Sequence, residues 1–227
     1  PKSELPEESG GWCDYMVELE FFRSMPEGIR KDAWFLTKVT MTGQERNPET
    51  GRYPLLDWDD PATNQKHPYW KKNIESSDWV FNYNDGYYET KGISSASGKT
   101  RMIFRYADIL LLYAEAVAYG SKNIDDLAFD CMWRVQKRAG VPLISKDVTK
   151  AYFQKAVLDE RRWETAGMEH SCMGRFFTMQ RHEILHLQKN YRDAAELSLN
   201  PNLTLSEEFY YFPIPDNELL IVPGLKD

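Results

Sequence analysis

His182, Glu183 and His186 stand in the order His-Glu-Ile-Leu-His. On a helix that spacing sets two imidazoles one turn apart, where they can share a zinc ion while the glutamate activates a metal-bound water. Glu207 or Glu208 would supply a third ligand. Two features oppose this chemistry. Arg181 puts a fixed positive charge beside the first histidine, and Gln188 stands where an apolar residue is expected after the motif. Zinc-dependent hydrolysis through this segment is the alternative reading. A solvated helix face is the preferred one.

Asp108, Glu115, Glu160 and Glu164 offer a second chemistry, the carboxyl pair of a glycoside hydrolase. Arg105, Arg134, Arg138, Arg161 and Arg162 lie close by in sequence. Carboxylates in such company are expected to form a charge network that locks helices together. Arginine should lower their pKa values, which is wrong for a general acid. Nucleophilic chemistry finds little support: there is no G-x-S-x-G elbow, no phosphate loop and no G-x-G-x-x-G, and Cys172 has His170 nearby but no third member. Cys13, Cys131 and Cys172 are too scattered for a disulfide scaffold or a cysteine zinc site; they are expected as small buried hydrophobes, the alternative being one bridged pair and one free thiol in an oxidising compartment. No catalytic residue and no cofactor is assigned, and the protein is not expected to be an enzyme.

Binding has better material. The 227 residues include 7 Trp, 13 Tyr and 11 Phe, many of them in loop-like sequence. Flat rings suit stacking on sugars or peptide side chains. Trp58, Tyr69, Trp70 and Trp79 are the first candidates, followed by Tyr87 and Tyr88. Asp57, Asp59, Asn64, Asn73 and Asn84 lie beside them and could bond sugar hydroxyls. A net charge of -7 argues against a nucleic-acid partner. No run of eighteen apolar residues is present to span a membrane.

The elements that must position these groups fall into two regions. Residues 1–102 read as loop-rich with short strands: "WFLTKVTMTG" and "GRYPLLDW" flank a turn in "QERNPET", predicting a small β-hairpin. Residues 103–227 read as helical. Ile103, Ala107, Leu110, Leu111, Ala114 and Ala118 recur at helical spacing up to Gly120. Leu127, Ala128, Cys131, Met132 and Val135 form the stripe of a second helix ending at Gly140. Together they predict a tetratricopeptide-like helical hairpin. A third helix is expected over about 149–166, with Phe153, Ala156 and Val157 inward, and a fourth from near Gly174 to Asn190. The proline-rich "FYYFPIPDNELLIVPG" should pack as extended chain. The expected class is mainly α. Such repeats need about three copies to stabilise one another, and the chain starts at Pro1 without an initiator Met, so further repeats are expected upstream.

Four segments carry a family resemblance. "RYADILLLYAEAVA" (105–118), "RVQKRAGVP" (134–142), "VLDERRWETA" (157–166) and "FPIPDNEL" (212–219) resemble the motifs of SusD/RagB proteins, in the family's order and at roughly its spacing. "GIRKDAWFL" (28–36) fits the region ahead of them more loosely. "MGRFFTMQR" departs from the family pattern by sitting about four residues late, with Thr178 where Asp is usual. The resemblance implies the C-terminal part of an outer-membrane, surface-exposed lipoprotein of the kind found in Bacteroidetes. Such a protein is lipid-anchored through its missing N-terminal half. It would bind an oligosaccharide or peptide and deliver it to a SusC-like TonB-dependent transporter. A further possibility is that this portion only docks on the transporter while the other half holds ligand.

Overall fold

In the first of the helices expected after residue 102, α3 (Tyr106–Tyr119), the backbone N–H of Arg105 donates to the Asp108 carboxylate, closing the first turn. In α4 (Asp126–Ala139), Asp125 caps the start by accepting from the Ala128 N–H at 2.8 Å, and Gly140 ends it in the left-handed region. Ala107, Leu111, Ala114 and Ala118 of α3 meet Ala128, Cys131, Met132 and Val135 of α4 in one buried cluster. The small residues let the two axes approach closely, giving the expected hairpin. Two edges of the predicted stripes fall outside it. Ile103 precedes the helix and is 78% exposed, and Leu127 is 53% exposed. Phe129, Gln136 and Ala139 lie on the buried face of α4 instead.

The third helix, α5 (Lys150–Thr165), starts where the Thr149 hydroxyl accepts from Tyr152 N–H. Phe153 and Val157 are wholly buried against the hairpin, with Phe153 edge-on to Phe129 at 4.8 Å. Burying each such side chain stabilises the fold by roughly 1.5–3 kcal/mol.

The computed structural model describes residues 2–3, 16–40, 45–63, 67–71, 79–82, 87–90, 103–167, 169–199, 214–222 and 224. Before the hairpin come β1 (Lys2–Ser3), α1 (Leu19–Ser24), α2 (Ile29–Trp34) and β2 (Phe35–Leu36), then β3 (Lys38–Thr40), β4 (Leu55–Asp57) and β5 (Tyr69–Trp70). Strands β3 and β4 pair antiparallel with Lys38 opposite Asp57, as predicted, and β1 adds to the outer edge of β3. Their connection is tied by Asn47, whose side-chain oxygen accepts from Glu49 and Thr50 N–H groups. A second antiparallel pair, β6 (Trp79–Asn82) and β7 (Tyr87–Thr90), was not anticipated. The sequence between its strands holds Asn84, Asp85 and Gly86, residue types that favour hairpin turns.

The loop-rich segment packs on the helices. Val17, Met25 and Phe35 form a second cluster with Phe22, Trp34, Trp70 and Trp163, and Trp34 Nε1 donates to the Trp163 carbonyl at 2.9 Å. Helix α2 lies against α4, and Gly28 makes that approach possible.

The C-terminal region differs most from expectation. Helix α6 runs Glu169–Arg181, a 3-10 helix follows over Leu185–Tyr191, and α7 (Ala194–Leu199) comes next. The single helix predicted over 174–190 is thus divided. Ile184 N–H bonds to Met179 O and Glu183 N–H to Gln180 O, with Glu183 at φ +54°: a Schellman stop built on a non-glycine residue. Residues Asp216–Ile221 form a short helix, α8, rather than extended chain. Pro215 sits just before its first turn, where a missing N–H costs nothing. Leu220 and Ile221 are exposed.

A Cβ at Gly28 would lie 2.8 Å from the Ala139 carbonyl, whereas at Gly51, also at positive φ, it would meet open space. Gly28→Ala should therefore lower unfolding free energy by about 1–3 kcal/mol in urea titrations. Gly51→Ala should fall at or below the bottom of that range, and equal losses would contradict the packing argument.

Candidate functional site

The predicted charge network exists, with a member the sequence did not reveal. Arg30 of α2 is 5% exposed and donates through Nη1 to both Glu160 and Glu164 of α5. Glu164 also accepts from Arg105 Nη1 at 2.9 Å and from Arg138 Nη2, while Arg105 Nη2 bonds Asp108 at 2.7 Å. A second group surrounds Glu115. Arg181 Nη2 donates to its Oε1 at 2.9 Å, His182 Nε2 lies 2.9 Å from the same oxygen, and Arg161 Nε lies 2.8 Å from Oε2. Arg134 stays out of both groups: it is exposed, reaching the Tyr106 hydroxyl and Asp130. Arg162 pairs with Asp159. Thr178, in the departing motif, is buried with its hydroxyl 3.3 Å from Arg181 Nη2.

The two glutamates respond oppositely. Burial alone would raise the Glu115 carboxyl, but hydrogen bonds from Arg181 and His182 and the charge of Arg161 outweigh it and hold the pKa below 4.5. At Glu160 burial wins and the pKa is raised, because Arg30 offsets it only in part and the Glu164 charge adds to it. The expectation that arginine lowers these carboxyls holds at Glu115 and fails at Glu160. Arg30 is divided between two carboxylates there, and that division is a tertiary fact.

The His-Glu-Ile-Leu-His segment does not form the helical zinc arrangement. His182 follows the last residue of α6, Glu183 turns the chain into the left-handed region, and His186 lies in the 3-10 helix. His182 is committed to Glu115, with its ring 4.1 Å from that of Tyr119, while Glu183 and His186 are exposed. Among the described residues no three His, Cys, Asp or Glu side chains are grouped to hold a metal.

The aromatic candidates divide. Trp58 follows β4, half-buried and edge-on to Phe22 at 5.7 Å, with Asp57 and Asp59 exposed beside it and Asp57 paired to Lys38. Tyr69 is half-buried in β5, opposite Leu36. Trp70 packs 5.0 Å from Phe35 and over Gly167, where an added Cβ would come within 2.5 Å of its ring. Trp79, Tyr87 and Tyr88 fall on the β6–β7 pair, with Tyr88 opposite Phe81 and Tyr87 opposite Asn82. Asn64, Asn73 and Asn84, like Cys13, lie outside the described residues. Cys131 is buried and unpaired in the first cluster, as expected of a small hydrophobe.

A helical hairpin extended by a third helix, carrying a loop-rich segment of short paired strands, defines an α-helical scaffold that presents loops. Within that class the chain belongs to the SusD family, whose sequence profile matches residues 2–227. Three solved structures are similar, each 19% identical. A SusD superfamily protein from Parabacteroides distasonis matches at TM-score 0.60, covering 92% of this chain and 40% of its own. A SusD superfamily protein from Bacteroides vulgatus matches at 0.58 (98% and 46%), and a SusD homolog from Bacteroides thetaiotaomicron at 0.53 (86% and 39%). At that identity the likeness establishes the fold, and the chain spans less than half the length of these relatives. No curated protein matches the sequence. SusD-family proteins are, as a class, cell-surface nutrient-binding proteins and generally not enzymes. Among the described residues no helix is long and apolar enough to cross a membrane.

Glu115→Gln and Glu160→Gln should show opposite pH dependence. Unfolded Glu115 takes up its proton near 4.5 and the folded form resists until lower pH. Its stabilisation is therefore complete above 4.5 and lost as pH falls through the folded value. At neutral pH Glu115→Gln should cost about 1.5–3 kcal/mol, the worth of a charged hydrogen bond, with the gap to wild type closing in acid. Folded Glu160 binds its proton above 4.5. Wild type should thus lose its advantage over Glu160→Gln as pH rises from 4.5 through that folded value. Denaturant midpoints measured across pH for the three proteins check both signs, and parallel curves would refute them.

Proposed function

We propose that the chain is the C-terminal portion of a lipid-anchored outer-membrane receptor. It binds an oligosaccharide, or a peptide, and hands it to a SusC-like TonB-dependent transporter without a chemical step. The observation that carries this reading is the family match over residues 2–227. The lipid anchor and further repeats would belong to the rest of the receptor.

The proposed ligand surface is the aromatic loop segment. Trp58, with Asp59 beside it, and Tyr69 offer partly exposed rings on a strand framework held to the helices by the second cluster. Trp79, Tyr87 and Tyr88, on the β6–β7 pair, are further proposed ligand residues. Trp70 serves it by anchoring β5 against Phe35. Aromatic faces on a rigid scaffold suit sugar rings, because stacking adds apolar contact with little side-chain ordering.

The triple variant Trp58→Ala, Tyr69→Ala, Trp79→Ala should weaken binding to any oligosaccharide or peptide found by array screening at least tenfold, about 1.4 kcal/mol. Calorimetry would measure the affinity and thermal melting would establish that the fold is retained. Unchanged affinity in a folded variant would move the ligand to the other half of the receptor. Failure of the membrane-anchored protein to co-purify with any transporter would remove the delivery role.

A further inference from the structure

Helix α3 is apolar on both of its sides. One arc, Ala107, Leu110, Leu111, Ala114 and Ala118, is buried against α4 and α5. The opposite arc holds Tyr106, Ile109, Leu112, Tyr113, Ala116 and Tyr119, and every one of them is exposed, Ile109 by 51% and Leu112 by 47%. With about 3.6 residues per turn, these six form one continuous strip along the helix, roughly 21 Å long.

The strip carries no charge. The two acidic residues of the helix are engaged elsewhere: Asp108 is bonded to Arg105, and Glu115 is buried among Arg161, Arg181 and His182. In a chain that is 28% charged, a face made to meet water would not stay free of charge over about four turns. A helix that is hydrophobic all round belongs inside a fold. Its polar atoms are also ready to be covered. The Tyr106 hydroxyl accepts from Arg134 and the Tyr113 hydroxyl donates to Asp125, each at 2.9 Å, so both rings can be buried without stranding a hydroxyl.

The pattern of the strip selects its occupant. Ile109, Leu112, Ala116 and Tyr119 step by three, four and three residues, the spacing of a seam between two helices. Small Ala116 lets a second helix axis come close. An uncharged surface of this kind suits a permanent contact, which resembles a core cut in half, better than a reversible one with its polar rim. Stacking points the same way. Helical repeats bury their faces against neighbours on either side; α4 and α5 cover one side of α3, and among the described residues nothing covers the strip. The region matched in the three similar structures is 39–46% of their length, so a protein of that size has chain to supply the cover.

We propose that the strip is an internal seam of the receptor, which seats one α-helix from chain preceding Pro1. That helix presents uncharged apolar residues at three- and four-residue spacing. The inference rests on the receptor reading, which supplies the preceding chain, and adds the place where the two halves join.

The test uses the full-length receptor with single substitutions Ile109→Cys, Leu112→Cys and Ala116→Cys, and with Tyr152→Cys, at a position 58% exposed on α5, as the control. Maleimide labelling above the background of the unsubstituted receptor should be at least tenfold slower at the three strip positions than at the control. Benzoylphenylalanine placed at Leu112 should crosslink to a peptide from before Pro1. Equal labelling rates overturn the inference, and so does a natural chain with no helix before Pro1. Protection that vanishes on dilution, with crosslinks to a second copy, would make the strip a dimer interface. Protection seen only with a transporter bound would make it a transporter contact. Either result overturns the internal seam. Failure to bind oligosaccharide or peptide, or to co-purify with a transporter, counts against the receptor's delivery role alone: slow labelling and upstream crosslinks would still establish the seam.

Discussion

The arrangement rests on one buried carboxylate. Glu164, on the last turn of α5, gathers Arg30 from α2, Arg105 from the start of α3 and Arg138 from the end of α4. Desolvating Glu164 and Arg30 costs several kcal/mol each, which their pairing with one another and with the more exposed Arg105 and Arg138 must offset. Such a network adds little net stability over apolar packing, but removing one partner strands the others. Its effect is therefore on specificity. Helices assembled in another order or register would separate Glu164 from Arg30, Arg105 and Arg138.

This constraint also explains which residues carried the family resemblance. Arg105, Asp108 and Glu115 lie in the first motif, Arg138 in the second, and Glu160, Arg161 and Glu164 in the third. Arg30 falls in the looser segment ahead of them. These are most of the members of the two ion groups; Arg181 and His182, which also meet Glu115, lie outside the four motifs. The motifs record how the helices are held and are silent about what is bound. The aromatic residues proposed to hold ligand, Trp58, Tyr69, Trp79, Tyr87 and Tyr88, all lie outside the four motifs.

The same network connects the loop-rich segment to the scaffold. Arg30 and Trp34, both on α2, reach Glu160 and the Trp163 carbonyl on α5, so the change of character near residue 103 is not a break in packing. Trp70 shows the consequence. Sequence composition put it among the ligand rings, yet it closes over Gly167 and Phe35 and positions β5 from within. Trp58, just after β4, and Tyr69, in β5, are half-buried like Trp70 but stand outside that cluster.

The sequence by itself determined the elements whose causes are local. Helices α3, α4 and α5 follow from apolar spacing together with Asp125, Thr149 and Gly140 at their ends, and the β3–β4 turn from Asn47 and its neighbours. Only the tertiary structure decided what depends on residues far apart in the chain. It joined Arg30 to carboxylates 130 and 134 residues away, raised Glu160 while lowering Glu115, and sent Trp70 inward. It also divided the expected helix at Glu183, where no glycine or proline announces the stop and His182 is drawn to Glu115. Periodicity and caps act over a few residues. The balance between burial and ion pairing is set by every group that the fold brings to the same place.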